Sequence, residues 1–247
     1  ACRLQTPVSD TACRVSEETA AAFFGNDVYL SQSKLEKYVK CHFLYYCQNV
    51  LKLRENEPAR FNYNDMGIFI HRILENFMRA AVDENGIKAE LSIDDIKKAV
   101  LGEAEKYIDE LFKDRYPPSK RLLHHFKRLK NHALLIAVDL YNEITQSDFV
   151  PKFFELEIGR RSQESIPAYE IPLKDGSKVK FNGVVDRVDI FKDGNDIYVK
   201  VVDYKTGSQK FSVSNIEKGL NMQMLLYLFA ICKTTSEGFK KSMGLWK

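Results

Sequence analysis

The segment Val201-Val202-Asp203-Tyr204-Lys205 sets a carboxylate and an ammonium two residues apart. Side chains alternate along a strand, so Asp203 and Lys205 project to one face while Tyr204 points to the other. Val199 and Val201 share the face of the charged pair, so an apolar strand ends in a carboxylate and an ammonium side by side. On an open surface such a pair would be a solvated ion pair of little consequence. Here a second carboxylate precedes it. In Gly183-Val184-Val185-Asp186-Arg187-Val188-Asp189, Asp186 stands in an apolar setting, where a carboxylate needs a partner such as a cation. Two strand carboxylates converging near a lysine are what a hard divalent ion and a hydrolytic reaction require.

The elements that must position these groups show in the local pattern. Ser33-Lys34-Leu35-Glu36 has the Ser-x-x-Glu form of a capping box and predicts a helix running through Tyr38, Phe43 and Tyr46. Asn64 or Asp65 is expected to cap a second helix with the apolar stripe Ile70, Ile73, Leu74 and Phe77. Two further helices are predicted over 93–112 and 120–141, parted by Pro117-Pro118. Beyond Pro151, Phe153-Phe154-Glu155-Leu156-Glu157-Ile158 reads as a strand. Turn signals at Asp175-Gly176 and Asp193-Gly194-Asn195 bracket a strand over 179–191 and introduce one over 197–204, the pattern of a β-meander. A last helix is expected over 215–231. Helices, three or four strands, then a helix describe an α/β core with a large helical segment before the strands.

The chain has 247 residues, 45% apolar and 29% charged, which excludes disordered and collagen-like classes. No run approaches the roughly 18 apolar residues that span a bilayer. The composition reads as a soluble, cytoplasmic chain with no membrane partner. A formal net charge of +3 does not by itself demand a polyanionic partner. The charge is uneven, however: Arg115, Lys120, Arg121, Lys127, Arg128 and Lys130 follow one another with no acid between them. Such a segment could meet phosphates or could be a solvated helix face. Cys2, Cys13, Cys41, Cys47 and Cys232 are scattered, with no Cys-x-x-Cys, so neither a zinc site nor a disulfide framework is expected.

An Asp on one strand followed by Asp-x-Lys on the next resembles the PD-(D/E)xK nucleases, and within them the RecB-like group. Gly67-Ile68-Phe69-Ile70-His71-Arg72-Ile73-Leu74-Glu75 is similar to that group's helix whose histidine binds metal, and Gln223-Met224-Leu225-Leu226-Tyr227 to its Gln-x-x-x-Tyr helix, which lines the DNA path. Tyr29-Leu30-Ser31-Gln32-Ser33-Lys34-Leu35-Glu36-Lys37-Tyr38, with Cys41-His42-Phe43 and Leu51-Lys52-Leu53, resembles the start of the nuclease domain in the B subunits of AddAB-type helicase–nucleases. The resemblance spans 29–227.

It implies a restriction-endonuclease-like core, a central mixed β-sheet flanked by helices. It implies Mg²⁺ or Mn²⁺ held by His71, Asp186, Asp203 and the backbone carbonyl of Tyr204, with Lys205 as catalytic lysine and Gln223 and Tyr227 on the DNA. One imidazole among carboxylates suits those ions better than Ca²⁺ or a thiolate-seeking metal. Glu75, one helical turn after His71, could support it from behind, and Glu157 could be a further carboxylate on the metal side; either could equally be structural. Core packing is the alternative for Tyr227.

The function so implied is a DNA exonuclease acting on single strands delivered by a helicase subunit, in double-strand-break repair and recombination. Residues 1–28 read as the tail of a preceding domain or a linker, and 29–247 as the nuclease domain, truncated at its C-terminus because Met243-Gly244-Leu245-Trp246 suits the start of another strand. Domains of this type carry an iron–sulfur cluster held by one cysteine before the His helix and three after the Gln-x-x-x-Tyr helix. Cys41 matches the first; the others have no counterpart, so no cluster is expected in this chain. No Gly-x-x-x-x-Gly-Lys-[Ser/Thr] loop is present, so ATP-driven unwinding is assigned to other sequence or a partner. Two alternatives stay open: a RecB-like exonuclease of CRISPR-adaptation type, and a catalytically silent DNA-binding module.

Overall fold

Three long helices precede the strands of the main sheet and form one core. In α4 (Tyr63–Ala81) the stripe Ile70, Ile73, Leu74 and Phe77 is buried. It packs against α5 (Ile93–Phe112) and α6 (Lys120–Thr145), whose Ile96, Val100, Phe126 and Ala133 fill the same cluster. Ser92 caps α5 with a complete capping box to Asp95, and Ser119 caps α6 through the backbone N–H of Leu122. The computed structural model describes residues 16–24, 28–54, 61, 63–83, 86–113, 118–159, 165–174, 176, 178–205 and 212–234. Cys2, Cys13, Arg115, Pro117, Asp175 and the 243–246 segment lie outside them. Ahead of α4 come α1 (Glu17–Phe24), β1 (Val28–Leu30), α2 (Gln32–Lys40) and α3 (His42–Tyr45). Between α4 and α5 lies a small hairpin of β2 (Val82–Asp83) and β3 (Gly86–Ile87).

The main sheet has four strands in the order β5-β4-β8-β9. These are β4 (Val150–Ile158), β5 (Ser165–Ile166), β8 (Gly183–Asp193) and β9 (Asp196–Val202). β4 runs parallel to β5 and antiparallel to β8, which is antiparallel to β9, so the sheet is mixed as expected. The helical core covers one face. On the other, Leu156, Ile158, Val185, Val188 and Ile190 pack with α8 (Gln223–Lys233). A second sheet, β1-β7-β6, is made with β6 (Tyr169–Pro172) and β7 (Lys178–Phe181). α7 (Val213–Glu217) precedes α8. Among the described residues no helix is long and apolar enough to cross a membrane.

Five local expectations are corrected. Neither Asn64 nor Asp65 caps α4, which already begins at Tyr63. Ser33 caps nothing: α2 begins at Gln32 after Ser31, and Glu36 instead accepts from the Gln32 side chain and the backbone N–H of Asn221. The first helix does not run on to Tyr46; it stops at an extended Cys41, whose Sγ accepts from the Leu44 N–H to start α3, and a π-helical turn follows over Tyr46–Val50. The strand expected over 179–191 is two strands in different sheets, because the Asn182 N–H donates to Leu30 on β1 before β8 begins. The helix over 215–231 is split into α7 and α8 by left-handed backbone at Gly219 (φ 77°) and Asn221 (φ 54°).

Candidate metal centre and active site

Asp186 is the pivot of the site. It lies on β8, nearly buried, and its Oδ2 accepts the backbone N–H of Tyr204 at 2.6 Å. Tyr204 stands just past the end of β9, and its carbonyl oxygen accepts from Nε2 of His71 at 2.7 Å. The Nδ1 of that ring is 3.5 Å from Asp186 Oδ2. The backbone of Tyr204 thus ties β8 and the end of β9 to helix α4. Its ring, against the helical core, lies edge-on to His71 at 5.8 Å between centroids.

The carboxylate that joins His71 and Asp186 is one the sequence did not single out. Glu155 on β4 offers an oxygen that lies, with a nitrogen of His71 and an oxygen of Asp186, in a group whose members are all within 4.8 Å of one another. Glu155 has φ 52°, left-handed backbone inside a strand, a conformation that costs a non-glycine residue about 1–3 kcal/mol. Strand pairing explains what the strain accomplishes. Phe154 faces Arg187 and Leu156 faces Val185, which puts Glu155 abreast of Asp186. Phe153 and Leu156 both enter the second core while Phe154 enters the helical one, so the pleat changes phase at Glu155. The carboxylate is turned toward the helices. Glu157, the carboxylate singled out on this strand, pairs opposite Val184 and Ser165, nearer the strand's far end.

Electrostatics match the crowding. Burial pushes the Glu155 carboxyl up to about 7, helped by Asp186 and Glu75. The hydrogen bond to Asp186 raises the His71 imidazole above its ordinary value, against the effect of burial. Two carboxylates and an imidazole compressed in this way, with a backbone carbonyl alongside, form an oxygen-rich donor set that fits a hard divalent cation.

Asp203 and Lys205 lie together, as alternation requires, with Oδ2 and Nζ 2.7 Å apart. Val199 and Val201 pack into the second core, so this pair continues the α8 face of the sheet. Gln223, the first residue of α8, clamps both partners: its Nε2 donates to Asp203 Oδ1 at 2.9 Å and its Oε1 accepts from Lys205 at 3.2 Å. Asp203 is outside the group formed by His71, Glu155 and Asp186. Burial raises its carboxyl above the usual value, the lysine opposing. The candidate site therefore has two halves on opposite faces of one sheet edge, with the Tyr204 peptide between them.

Supporting residues fall differently from expectation. Glu75 pairs with Arg79 at 2.9 Å, and Arg79 donates to the carbonyl of Phe154, so Glu75 braces the strand beside Glu155 rather than His71. Tyr227 is buried in the second core, its hydroxyl accepting from Gln223 at 3.1 Å. A Cβ at Gly183 would come within 2.7 Å of the Tyr227 ring, so glycine makes room for that tyrosine at the start of β8. Gly183→Ala is expected to cost about 1–3 kcal/mol by overpacking. Thermal melts check this: adding Tyr227→Phe, which keeps the clashing ring carbon, should not recover the loss, whereas Tyr227→Leu should recover part of it.

Below the site, Arg187 and Asp189 are fully buried and joined by two hydrogen bonds of 2.8 and 2.9 Å. A third nitrogen of Arg187 reaches the Tyr204 hydroxyl at 3.3 Å, and Glu143 of α6 bridges Arg187 and Lys200. Burial pushes the Tyr204 phenol up to about 12, so its hydroxyl stays protonated. Two clefts flank Lys205. One, of about 310 Å³, is lined by Ser31, Gln32, Asn182, Asn221 and Gln223 among others; the second, of about 540 Å³, lies between α4 and α6. Cys41, Cys47 and Cys232 are free thiols.

Comparison with known proteins agrees with this geometry. The sequence profile of the PD-(D/E)XK nuclease superfamily matches residues 29–247. The chain is 33% identical over 218 residues to the B subunit of the ATP-dependent helicase/deoxyribonuclease of Clostridium novyi (strain NT), covering 88% of this chain and 19% of that protein. To the proteins of the same description from Caldanaerobacter subterraneus subsp. tengcongensis and Clostridioides difficile (strain 630) it is 34% identical over 221 residues and 31% over 219. Those matches cover 87% and 84% of this chain and 18% of each relative. The chain spans about a fifth of the length of these relatives.

Proposed function

Because the chain belongs to the PD-(D/E)XK nuclease superfamily, we propose that it is a divalent-metal-dependent deoxyribonuclease that works in DNA repair within the B subunit of a helicase–nuclease. The observation that carries this is the convergence of His71, Glu155 and Asp186 beside the Asp203–Lys205 pair. The substrate is proposed to be single-stranded DNA delivered by a helicase, cut exonucleolytically, with Mg²⁺ or Mn²⁺ as the ion.

His71, Glu155, Asp186 and the Tyr204 carbonyl would hold the ion, with Asp203 a further carboxylate beside Lys205. When bound, the ion polarises the scissile phosphate and lowers the pKa of a water. Lys205 is kept aimed by Asp203 and Gln223, and its ammonium stabilises negative charge developing on the phosphate. Asp186 fixes the Tyr204 peptide, and the Tyr204 carbonyl fixes the proton of His71 on Nε2. That proton must leave, and Nε2 must turn from donor to ligand, before the imidazole can bind metal through that atom.

Labelled single-stranded DNA incubated with the chain and Mg²⁺ or Mn²⁺ should be cut, and a chelator should stop it. Binding without metal-dependent cleavage would instead support the silent DNA-binding module. Metal affinity is expected to depend on pH. Glu155, with a carboxyl near 7, and His71, raised above its ordinary value, both hold protons that a cation must displace. Mn²⁺ affinity measured calorimetrically should therefore rise between about pH 6 and pH 8. Linkage gives the metal-free protein the opposite trend: the fold binds the Glu155 proton more tightly than the unfolded chain, whose ordinary value is 4.5. That contribution to stability is complete below pH 4.5 and lost as pH rises through about 7.

A further inference from the structure

The basic run on α6 is not absorbed by the site as described. At helical spacing, His125, Arg128, Leu129, His132, Leu135 and Ile136 lie on one stripe of that helix and line the larger cleft. Ile70 of α4 completes an apolar floor, and Lys205 lines the same cleft, so it is continuous with the catalytic lysine. No carboxylate is among the described residues that line it. Arg128 and His132 are exposed, and among the described residues neither has an acidic partner, whereas Lys130 on the same helix is paired with Glu105. Leu135, 65% exposed, extends the apolar surface along the stripe.

Cations on the rim, an apolar floor and no acid match one kind of ligand: a single nucleic-acid strand, whose phosphates seek the cations and whose unstacked bases seek apolar surface. A duplex keeps its bases stacked and leaves such a floor unused. Resting on the nuclease reading, we propose that the α4–α6 cleft seats the nucleotides adjoining the scissile phosphate, with Arg128 and His132 holding a backbone phosphate and Leu129, Ile136 and Ile70 supporting a base. The strand then runs across Lys205 into the smaller, amide-lined cleft.

The test uses the full chain, a fluorescein-labelled 12-nucleotide oligothymidylate and a hairpin duplex, with binding followed by anisotropy in chelator. Arg128→Glu is compared with Lys127→Glu, the same charge change on an exposed residue that does not line the cleft. Both variants alter exposed positions, and unchanged melting temperatures confirm that they fold. Arg128→Glu should raise the Kd for the single strand tenfold or more and lower the salt slope by about one, as loss of one phosphate contact does. Lys127→Glu should change the Kd less than threefold, and the duplex should bind more weakly than the single strand. Equal losses in the two variants, or no loss in Arg128→Glu, would overturn the cleft. Metal-dependent cleavage by the unaltered chain is followed in parallel. Cleavage with no effect of Arg128→Glu removes this proposal alone; neither binding nor cleavage removes the nuclease reading and the cleft with it.

Discussion

Asp186→Ala is expected to reduce metal-dependent cleavage by at least about a thousandfold, the upper end of what loss of one transition-state contact removes. Asp186 faces both His71 and Glu155 and also fixes the peptide of Tyr204. Alanine removes the charge and leaves the Tyr204 N–H without its acceptor, which costs about 1–3 kcal/mol in addition. Asp186→Asn separates the two effects, since the amide oxygen still accepts that N–H but carries no charge. The asparagine variant should keep its melting temperature within a few degrees and lose activity as fully as the alanine variant. Lys205→Ala should lose about 10²–10³ in the cleavage step while leaving Mn²⁺ binding near its original strength. Single-turnover cleavage of a labelled oligonucleotide decides both. Retention of activity within tenfold in either variant would remove that residue from the chemistry.

The largest effect on stability is expected at Arg187. Arg187→Met leaves Asp189 charged and fully buried without its partner, which costs about 3–5 kcal/mol. In a chain of this length that corresponds to a fall in Tm on the order of 10 °C. The double variant Arg187→Met with Asp189→Leu removes both charges and should recover most of the loss. It should not recover activity fully, because Arg187 also holds the Tyr204 hydroxyl and so helps set the peptide that joins the two halves of the site. Thermal melts and cleavage rates on the single and double variants test this. If the double variant is as unstable as the single one, the buried pair is not the source of the cost.

Much of this arrangement was legible in the residues. The apolar stripe of α4, the span of α5 and the pairing of Asp203 with Lys205 all follow from local periodicity, which the tertiary fold preserves. Glu155 was missed because a strict two-residue period assigns it no special face. The irregular step is from Phe154 to Leu156, which would share a face in a regular strand yet enter different cores, and two apolar side chains buried on either face give no local sign of it. The break in the strand at Asn182 depends on a hydrogen bond to Leu30, far earlier in the chain, and no local pattern encodes it. The place of Gln223 on the DNA was implied by the family resemblance, and spacing gives its helix face but not its partners within the fold. In the folded chain those partners are Asp203 and Lys205.

The left-handed backbone at Glu155 sets a conflict within one codon. Glycine is the residue that conformation favours, and Glu155→Gly would relieve the strain, yet it would also delete a carboxylate that makes the centre attractive to a cation. Drift toward a sturdier fold and retention of catalysis therefore pull this position in opposite directions. A laboratory selection for thermal resistance alone should collect glycine at 155 and yield a well-folded protein that no longer cuts. The same substitution appearing in a natural copy would mark one that has been released from cleavage while keeping its shape.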